Sequence, residues 1–246
     1  MPRPPVVDHP LFFIDYDGTL APIVDVPSEA YPHPEAPALL EKLDAQYPLW
    51  IVTGRHLQAL EDLLSLPLRA IGLHGAQEGR IGEAVRRLAP DDAVEALRRL
   101  RQTVPTGEGV EVEEKDTAFA VHYRAANNEE AARDRIRAWA DAVPDVLEAI
   151  WGKKVMELRP KGMSKGTAVR RIAQDYPDRI PIYLGDDVTD EDAFDALQDV
   201  DDAVTVKVGA EETKARYRLS GPDEVVAYLR RYVGQGNGDE RRGEER

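Results

Sequence analysis

The stretch that decides the fold is Leu11-Phe12-Phe13-Ile14-Asp15-Tyr16-Asp17-Gly18-Thr19, an apolar run that ends in two carboxylates one residue apart. A short apolar run of this kind predicts a buried strand of a parallel sheet. Open α/β sheets build their sites at the carboxyl ends of the strands, so we expect Asp15 and Asp17 there. Two clustered carboxylates repel each other unless a cation or a shared proton separates them, which predicts a hard-metal site. A strand followed by an Asp-Gly turn is the simpler alternative, although such a turn needs only one aspartate.

The composition excludes several kinds of protein. The chain has 246 residues with 46 acidic and 32 basic side chains, a formal net charge of -14. That balance argues against nucleic acid or an anionic membrane as a partner, since both need a basic face. Cysteine is absent, which excludes disulfides and thiolate ligands. No apolar run is long enough for a signal peptide or a membrane span, so we expect a soluble, cytoplasmic protein. We also expect a monomer.

Strands and helices alternate along most of the chain, which predicts a doubly wound α/β fold with a mainly parallel sheet. Five apolar segments rich in β-branched residues are candidate buried strands. They are Leu11–Ile14, Leu49–Val52, Ala70–Leu73, Ile180–Leu184 and Ala203–Val208. The helical patterns between and after them are 37–46, 56–66, 165–176, 190–197 (with Thr189 as the N-cap) and 222–232.

The alternation changes between residues 78 and 158, where an α-β-β pattern occurs twice. The pattern predicts a small open sheet with two helices, inserted into the larger fold as a cap domain. We therefore expect a core from residues 1–77 and 159–233, a cap from 78–158 and a disordered tail from 234–246. The insertion implies a lid, with hinge strands near 77–80 and 158–162.

Three further motifs follow predicted strands or begin a helix, and thus lie at the same edge of the sheet as Asp15. They are Thr53-Gly54-Arg55, Lys165-Gly166 and the acidic run 185–191. Each has a simpler interpretation: a strand-ending turn, a solvated lysine, and acidic residues favoured at a helix N-terminus. The order and spacing of the motifs favour a functional site.

This set of side chains suits phosphoryl transfer. Asp15 would attack phosphorus and form an aspartyl-phosphate, and Asp17 would act first as general acid and then as general base. Thr53 and Lys165 would hold the phosphoryl oxygens, where charge is spread in the transition state. Mg²⁺ would be held by Asp15, the backbone carbonyl of Asp17, and Asp186.

The order Asp-x-Asp-Gly-Thr, Thr-Gly-Arg, Lys-Gly and Gly-Asp-Asp-x-x-Asp resembles the four motifs of the haloacid dehalogenase (HAD) superfamily of phosphohydrolases. Further segments are similar to those of trehalose-6-phosphate phosphatases, over about residues 10–232. These segments are Ile14–Leu20, Gly72–Gly75, Val121–Arg124, Val155–Pro160 and Gly185–Phe194.

The resemblance implies a Mg²⁺-dependent hydrolysis of trehalose 6-phosphate to trehalose and phosphate. It also implies that Asp187 and Asp190 orient the metal's water molecules and Lys165. A disaccharide presents many hydroxyl groups, which charged and bidentate side chains bind well. The candidate substrate-binding residues are Gly54, Arg55, His122, Arg124, Lys154 and Glu157.

Other functions remain open from the sequence. The same chemistry could act on mannosyl-3-phosphoglycerate, sucrose phosphate or a simple hexose phosphate. A non-enzymatic phospho-acceptor switch would share the acidic pocket and lysine, but it would need neither the insertion nor Asp17. A sugar-binding protein without catalysis is disfavoured because every expected catalytic position is filled.

Overall fold

The structure, a computed structural model, describes residues 1–115, 117–152 and 154–234, with only the backbone of Lys115. The chain forms two compact units. The first comprises Met1–Arg86 together with the chain from Ser164 onward, and the second is Arg87–Met163. Within the described ranges, no helix is long and apolar enough to cross a membrane.

The first unit is built on an eight-stranded sheet in the order β12-β11-β10-β1-β2-β3-β4-β5. Every pair from β12 to β3 is parallel, and β4 runs antiparallel to β3. This confirms the predicted α/β fold with a mainly parallel sheet. The strands are β1 (Pro10–Asp15), β2 (Leu49–Val52), β3 (Arg69–Gly72), β4 (Gln77–Arg80), β5 (Arg86–Arg87), β10 (Ile180–Gly185), β11 (Val204–Val208) and β12 (Tyr217–Leu219).

Helices cover both faces of this sheet. Every residue of β1 is buried although successive side chains point to opposite faces, so both faces are shielded from solvent. Phe12 packs in one core cluster with residues of α1, α2 and α7, whereas Phe13 packs in a second cluster with residues of α5 and α6. The helices are α1 (Ala36–Asp44), α2 (Leu57–Glu61), α5 (Lys165–Gln174), α6 (Val188–Ala196) and α7 (Pro222–Val233).

The second unit has its own core and a four-stranded antiparallel sheet in the order β6-β7-β9-β8. Val121 and Met156 on the central strands are fully buried against Ala96 and Ile136 of the two helices. The elements are α3 (Asp91–Arg101), β6 (Glu111–Lys115), β7 (Ala118–His122), α4 (Glu129–Ala140), β8 (Leu147–Gly152) and β9 (Val155–Pro160).

Several boundaries differ from the sequence-based ones. Residues 78–86 group with the first unit instead of the insertion, because β4 pairs with β3 of the large sheet. The second unit extends to Met163, since β9 runs on to Pro160. The N-cap of α6 is Asp187 and not Thr189, because the Asp187 side chain accepts the first free amides of the helix. From residue 235 onward, the predicted disordered tail lies outside the residues that the structure describes.

Candidate active site

A buried ion-pair network stands at the carboxyl end of β1. Lys165 Nζ donates to Asp15 Oδ1 at 2.7 Å and to Asp190 Oδ1 at 2.8 Å. All three side chains are at most 5% exposed. Asp15 ends β1, Lys165 is the first residue of α5, and Asp190 lies in the first turn of α6. Three distant segments of sequence therefore meet at one sheet edge, as the strand order requires.

Helix capping fixes the positions of Lys165 and Asp190. The Ser164 side chain accepts from the Thr167 amide in a capping box, which sets the first turn of α5. Asp190 Oδ2 accepts from the Asp187 amide at 2.9 Å, and the Tyr183 hydroxyl donates to Asp190 Oδ1 at 2.6 Å. Both oxygens of Asp190 are thus occupied by protein donors.

Asp186 is held between two neighbours. A Cβ at position 18 would overlap the Asp186 carboxylate, so only glycine, here with φ of 74°, fits beside it. On the other side, Lys207 Nζ donates to the Asp186 backbone oxygen. Lys207 is buried in β11 and Tyr183 in β10, and sequence reasoning missed both. A lysine within an apolar strand was the available signal, because lysine is almost never buried without a partner.

Around Asp15 and Asp186, the negative charges outweigh the positive charge of Lys165. Burial and then the neighbouring Asp190 raise the pKa of Asp15 well above its usual value, although Lys165 opposes them. Burial and then Asp190 likewise raise the pKa of Asp186 to about 6. Burial alone would lower the pKa of Lys165, but Asp15 and Asp190 outweigh it and raise that pKa.

A hard divalent cation fits this donor set. Oxygens of Asp15, Asp186 and Asp190 lie within 4.8 Å of one another. Hard cations favour carboxylate oxygens, and the raised pKa values reflect repulsion that a cation would relieve. Because Asp190 is occupied by Lys165, Tyr183 and an amide, Asp15 and Asp186 are the better ligands in this group.

The turn after β2 brings Arg55 to Asp17. Arg55 Nε and one terminal nitrogen each donate to a different Asp17 oxygen at 2.6 Å. The buried Thr53 hydroxyl oxygen accepts from the Arg55 amide at 3.0 Å. A Cβ on Gly54 would meet the His74 ring at 2.5 Å, so the absence of a side chain at position 54 lets this ring pack against the turn. Asp17 is therefore paired with Arg55, whereas Asp15 is paired with Lys165.

Of the four predicted residues of the second unit, two contact each other and the other two have different neighbours. His122 Nε2 lies 2.9 Å from Glu113 Oε2, and an Arg124 nitrogen lies 3.0 Å from His122 Nδ1. Lys154 donates to Glu129 of α4 at 2.7 Å and lines a cavity of about 520 Å³ with residues of that helix. Glu157 is partly buried on β9 and lies opposite Ala120 of β7.

The parallel sheet and the carboxylates at its edge define an α/β protein with a candidate site at the carboxyl ends of its strands. A HAD phosphatase from Bacteroides thetaiotaomicron has the same fold, with a TM-score of 0.63 and 18% identity over 92% of this chain and 95% of that one. More narrowly, the chain belongs to the trehalose-phosphatase family, whose model matches residues 13–223.

Two relatives fit that assignment. The trehalose-phosphate phosphatase of Mycobacterium marinum is 36% identical over 249 residues, which cover 93% of this chain and 63% of that protein. The chain thus spans less than two thirds of the mycobacterial relative. The crystal structure of a trehalose-6-phosphate phosphatase related protein has a TM-score of 0.71 and 32% identity, over 92% of this chain and 98% of that one.

Proposed function

We propose that this protein is a phosphatase that hydrolyses trehalose 6-phosphate to trehalose and phosphate. The observation that carries the proposal is the buried Asp15–Lys165 pair with Asp186 beside it, in a chain of the trehalose-phosphatase family. A nucleophilic carboxylate, an ammonium for phosphoryl oxygens and a set of oxygen ligands are the groups that phosphoryl transfer requires.

In the first step Asp15 forms a bond to phosphorus while the bond between phosphorus and the sugar oxygen breaks. Asp17 gives its proton to that departing oxygen, which avoids an unstable alkoxide. Lys165 and the Thr53 hydroxyl hold the phosphoryl oxygens during the transfer. In the second step Asp17 takes a proton from water and the water oxygen attacks phosphorus. The bond between phosphorus and the Asp15 oxygen breaks, which releases phosphate and restores the Asp15 carboxylate.

Mg²⁺, held by Asp15, the Asp17 carbonyl and Asp186, would neutralise the repulsion between the carboxylate and the phosphate. Asp187 and Asp190 would support that site, Asp190 through its bonds to Lys165 and to the Asp187 amide. Lys207 supports Asp186 from behind through the backbone. These roles are proposals that rest on the residues' positions and on the family.

The second unit would supply recognition of the sugar, through His122, Arg124 and Glu157. Among the residues proposed for sugar contact that the structure describes, Arg124 contacts His122 and Lys154 is paired with Glu129, which leaves these two cations less available for a carboxylate on the substrate. This favours an uncharged sugar over a phosphoglycerate. Another neutral sugar phosphate is the second candidate, because hydroxyl-binding side chains of this kind would also accept one.

Phosphate release from a panel of sugar phosphates, with and without Mg²⁺, tests the proposal. We expect trehalose 6-phosphate to lead in kcat/KM by about 100-fold, which corresponds to about 3 kcal/mol of transition-state discrimination. A flat profile would leave a general sugar phosphatase. If no substrate released phosphate, the hydrolase would be excluded and a phospho-acceptor switch would be the better explanation.

A further inference from the structure

Arg55 binds the side chain of Asp17 at two points. Its Nε and one terminal nitrogen donate to the two Asp17 oxygens, both at 2.6 Å. We infer that Arg55 is a positioning residue that holds the acid/base carboxylate in place, and that its contribution to the reaction passes through Asp17 and not through contact with the sugar. The inference rests on the proposed phosphatase function.

Arg55 is itself held from several directions. Its amide donates to Thr53 Oγ1 at 3.0 Å, and its carbonyl accepts from the Leu73 amide at 3.0 Å. Its guanidinium lies over the ring of Tyr16, 5.7 Å from the centroid, and the Tyr16 hydroxyl is bonded to the Ala30 carbonyl at 2.9 Å. The Arg55 side chain is only 15% exposed. Such a side chain is placed to orient a neighbour instead of reaching for a ligand.

The local backbone supports the same interpretation. Leu73, which bonds the Arg55 carbonyl, has a φ of 48°, a conformation that a leucine rarely adopts. The next residue, His74, also has a positive φ and donates its amide to the Thr53 carbonyl at 3.1 Å. Strain of this kind persists only where the surroundings fix it, and it concentrates at functional sites. The turn that carries Arg55 is thus bonded on both sides of Gly54 to this strained segment.

The two-point contact has a chemical consequence. When Asp17 acts as general base, both of its oxygens can keep their bonds to the guanidinium. When it acts as general acid, one oxygen carries the proton and must release its N–H donor, while the second bond still holds the carboxylate. A planar guanidinium permits this exchange, whereas an ammonium offers a single point of attachment. Arginine is therefore the side chain that keeps Asp17 oriented through both steps.

Steady-state kinetics of Arg55→Met and Arg55→Lys with trehalose 6-phosphate test the inference. A misplaced acid/base group costs about 100-fold in rate, so we expect kcat of Arg55→Met to fall by about that factor while KM changes less than about threefold. Arg55→Lys should recover only part of the loss. A large rise in KM with kcat retained would instead show contact with the substrate and overturn the inference.

Arg69→Met is the matched control. Arg69 is also a partly buried arginine of the first unit, paired with Asp44 at 3.0 Å and placed over the Trp50 ring at 4.2 Å. Its replacement removes a comparable pair away from Asp17, and kcat should not change. Circular dichroism and thermal melting verify folding of each variant, and Arg55→Lys carries the test if Arg55→Met does not fold.

A double-mutant cycle with Asp17→Asn separates action through Asp17 from a direct effect. In single-turnover measurements Arg55→Met should cost about threefold or less in the Asp17→Asn background, because its target is already lost. A full second loss of about 100-fold would overturn the inference while the phosphatase function stood. A wild-type protein that released no phosphate from any sugar phosphate would remove the proposed function itself.

Discussion

The acidic sheet edge of the first unit, at Asp15 and Lys165, differs from the strands of the second unit at His122 and Glu113 in how far its polar pairs are buried. In the first unit Asp15 and Lys165 are at most 5% exposed and bonded to each other. In the second unit His122 and Glu113 form a pair whose side chains are 22% and 56% exposed. Buried pairs act in a low dielectric and are costly to break, whereas exposed pairs contribute little and can be exchanged for ligand hydroxyls. The comparison predicts chemistry in the first region and selectivity in the second.

The largest effect is expected from Asp15→Asn. The amide keeps the shape of the side chain but cannot attack phosphorus, so turnover should fall by about 10⁴-fold or more. Phosphate release and circular dichroism measure activity and fold. Asp145→Asn, at an exposed acid paired with Lys161, is the control and should retain activity. Appreciable turnover by Asp15→Asn would exclude the covalent mechanism.

Lys165→Met tests how strongly the buried network depends on its cation. The substitution leaves Asp15 and Asp190 buried without their ammonium partner, and this should lower the free energy of unfolding by about 3–5 kcal/mol. Urea denaturation at neutral pH measures it. Lys161→Met, at an exposed ion pair, should cost less than about 1 kcal/mol. Equal losses in the two variants would remove the contrast between the buried and the exposed pairs.

The difference between these regions also explains what the sequence could and could not predict. The strand 49–52 and the position of Asp15 at the end of β1 follow from apolar runs, which report burial directly. A hinge strand was expected near 77–80, but its place in the large sheet as β4 was not predicted. The segment Gln77-Glu78-Gly79-Arg80 has no apolar pattern, and its pairing with β3 is a tertiary contact.

The hydrogen bonds within the site could not be predicted from the sequence either, because they too are tertiary contacts. Asp17 and Arg55 each belong to a recognisable motif, yet their contact joins residues 38 apart along the chain. The contact of Lys154 with the sugar stays a prediction. The sequence did not report that its backbone has a φ of 63° or that its ammonium is bonded to Glu129. Side-chain direction at a strand end depends on such local dihedral angles, which a residue pattern does not report.

The excess of negative charge around Asp15 and Asp186 predicts that stabilisation by Mg²⁺ depends on pH. The folded-state pKa of Asp186, about 6, lies above its usual value, so ionisation costs stability. The metal-free protein should therefore lose stability from this group as the pH rises from about 4 to about 6. Because the proposed Mg²⁺ would bind the ionised carboxylate, it should raise the melting temperature more at about pH 7.5 than at about pH 5. Thermal melts at both pH values measure this, and an equal increase would contradict it.

Glu157→Gln should affect selectivity more than chemistry. The loss of a charged acceptor for sugar hydroxyls should raise KM for trehalose 6-phosphate by about tenfold, or about 1.4 kcal/mol. The kcat/KM for p-nitrophenyl phosphate, which has no sugar, should stay within about twofold. Glu130→Gln, at an acid of α4, is the control. A parallel loss with both substrates would indicate a structural role for Glu157.

The smallest effect is expected from Lys154→Met. Because the ammonium must give up its half-exposed pair with Glu129 to bind a sugar hydroxyl, its net contribution to binding is small, so KM for trehalose 6-phosphate should change by about twofold or less. Stability should change by less than about 1 kcal/mol. Kinetics and urea denaturation measure the two quantities. A tenfold rise in KM would restore Lys154 to the sugar-binding residues and weaken the contrast between the two units.

Asp190 joins the start of α6 to the charged network, and this couples the order of folding to the assembly of the site. One of its oxygens closes the capping box at Asp187, while the other binds Lys165 and Tyr183. Any opening that frays the first turn of α6 must also release the ammonium. The Asp187 amide should therefore exchange its hydrogen with solvent only in openings that also break the bond between Lys165 and Asp190. Its hydrogen-exchange rate thus measures how often the site opens.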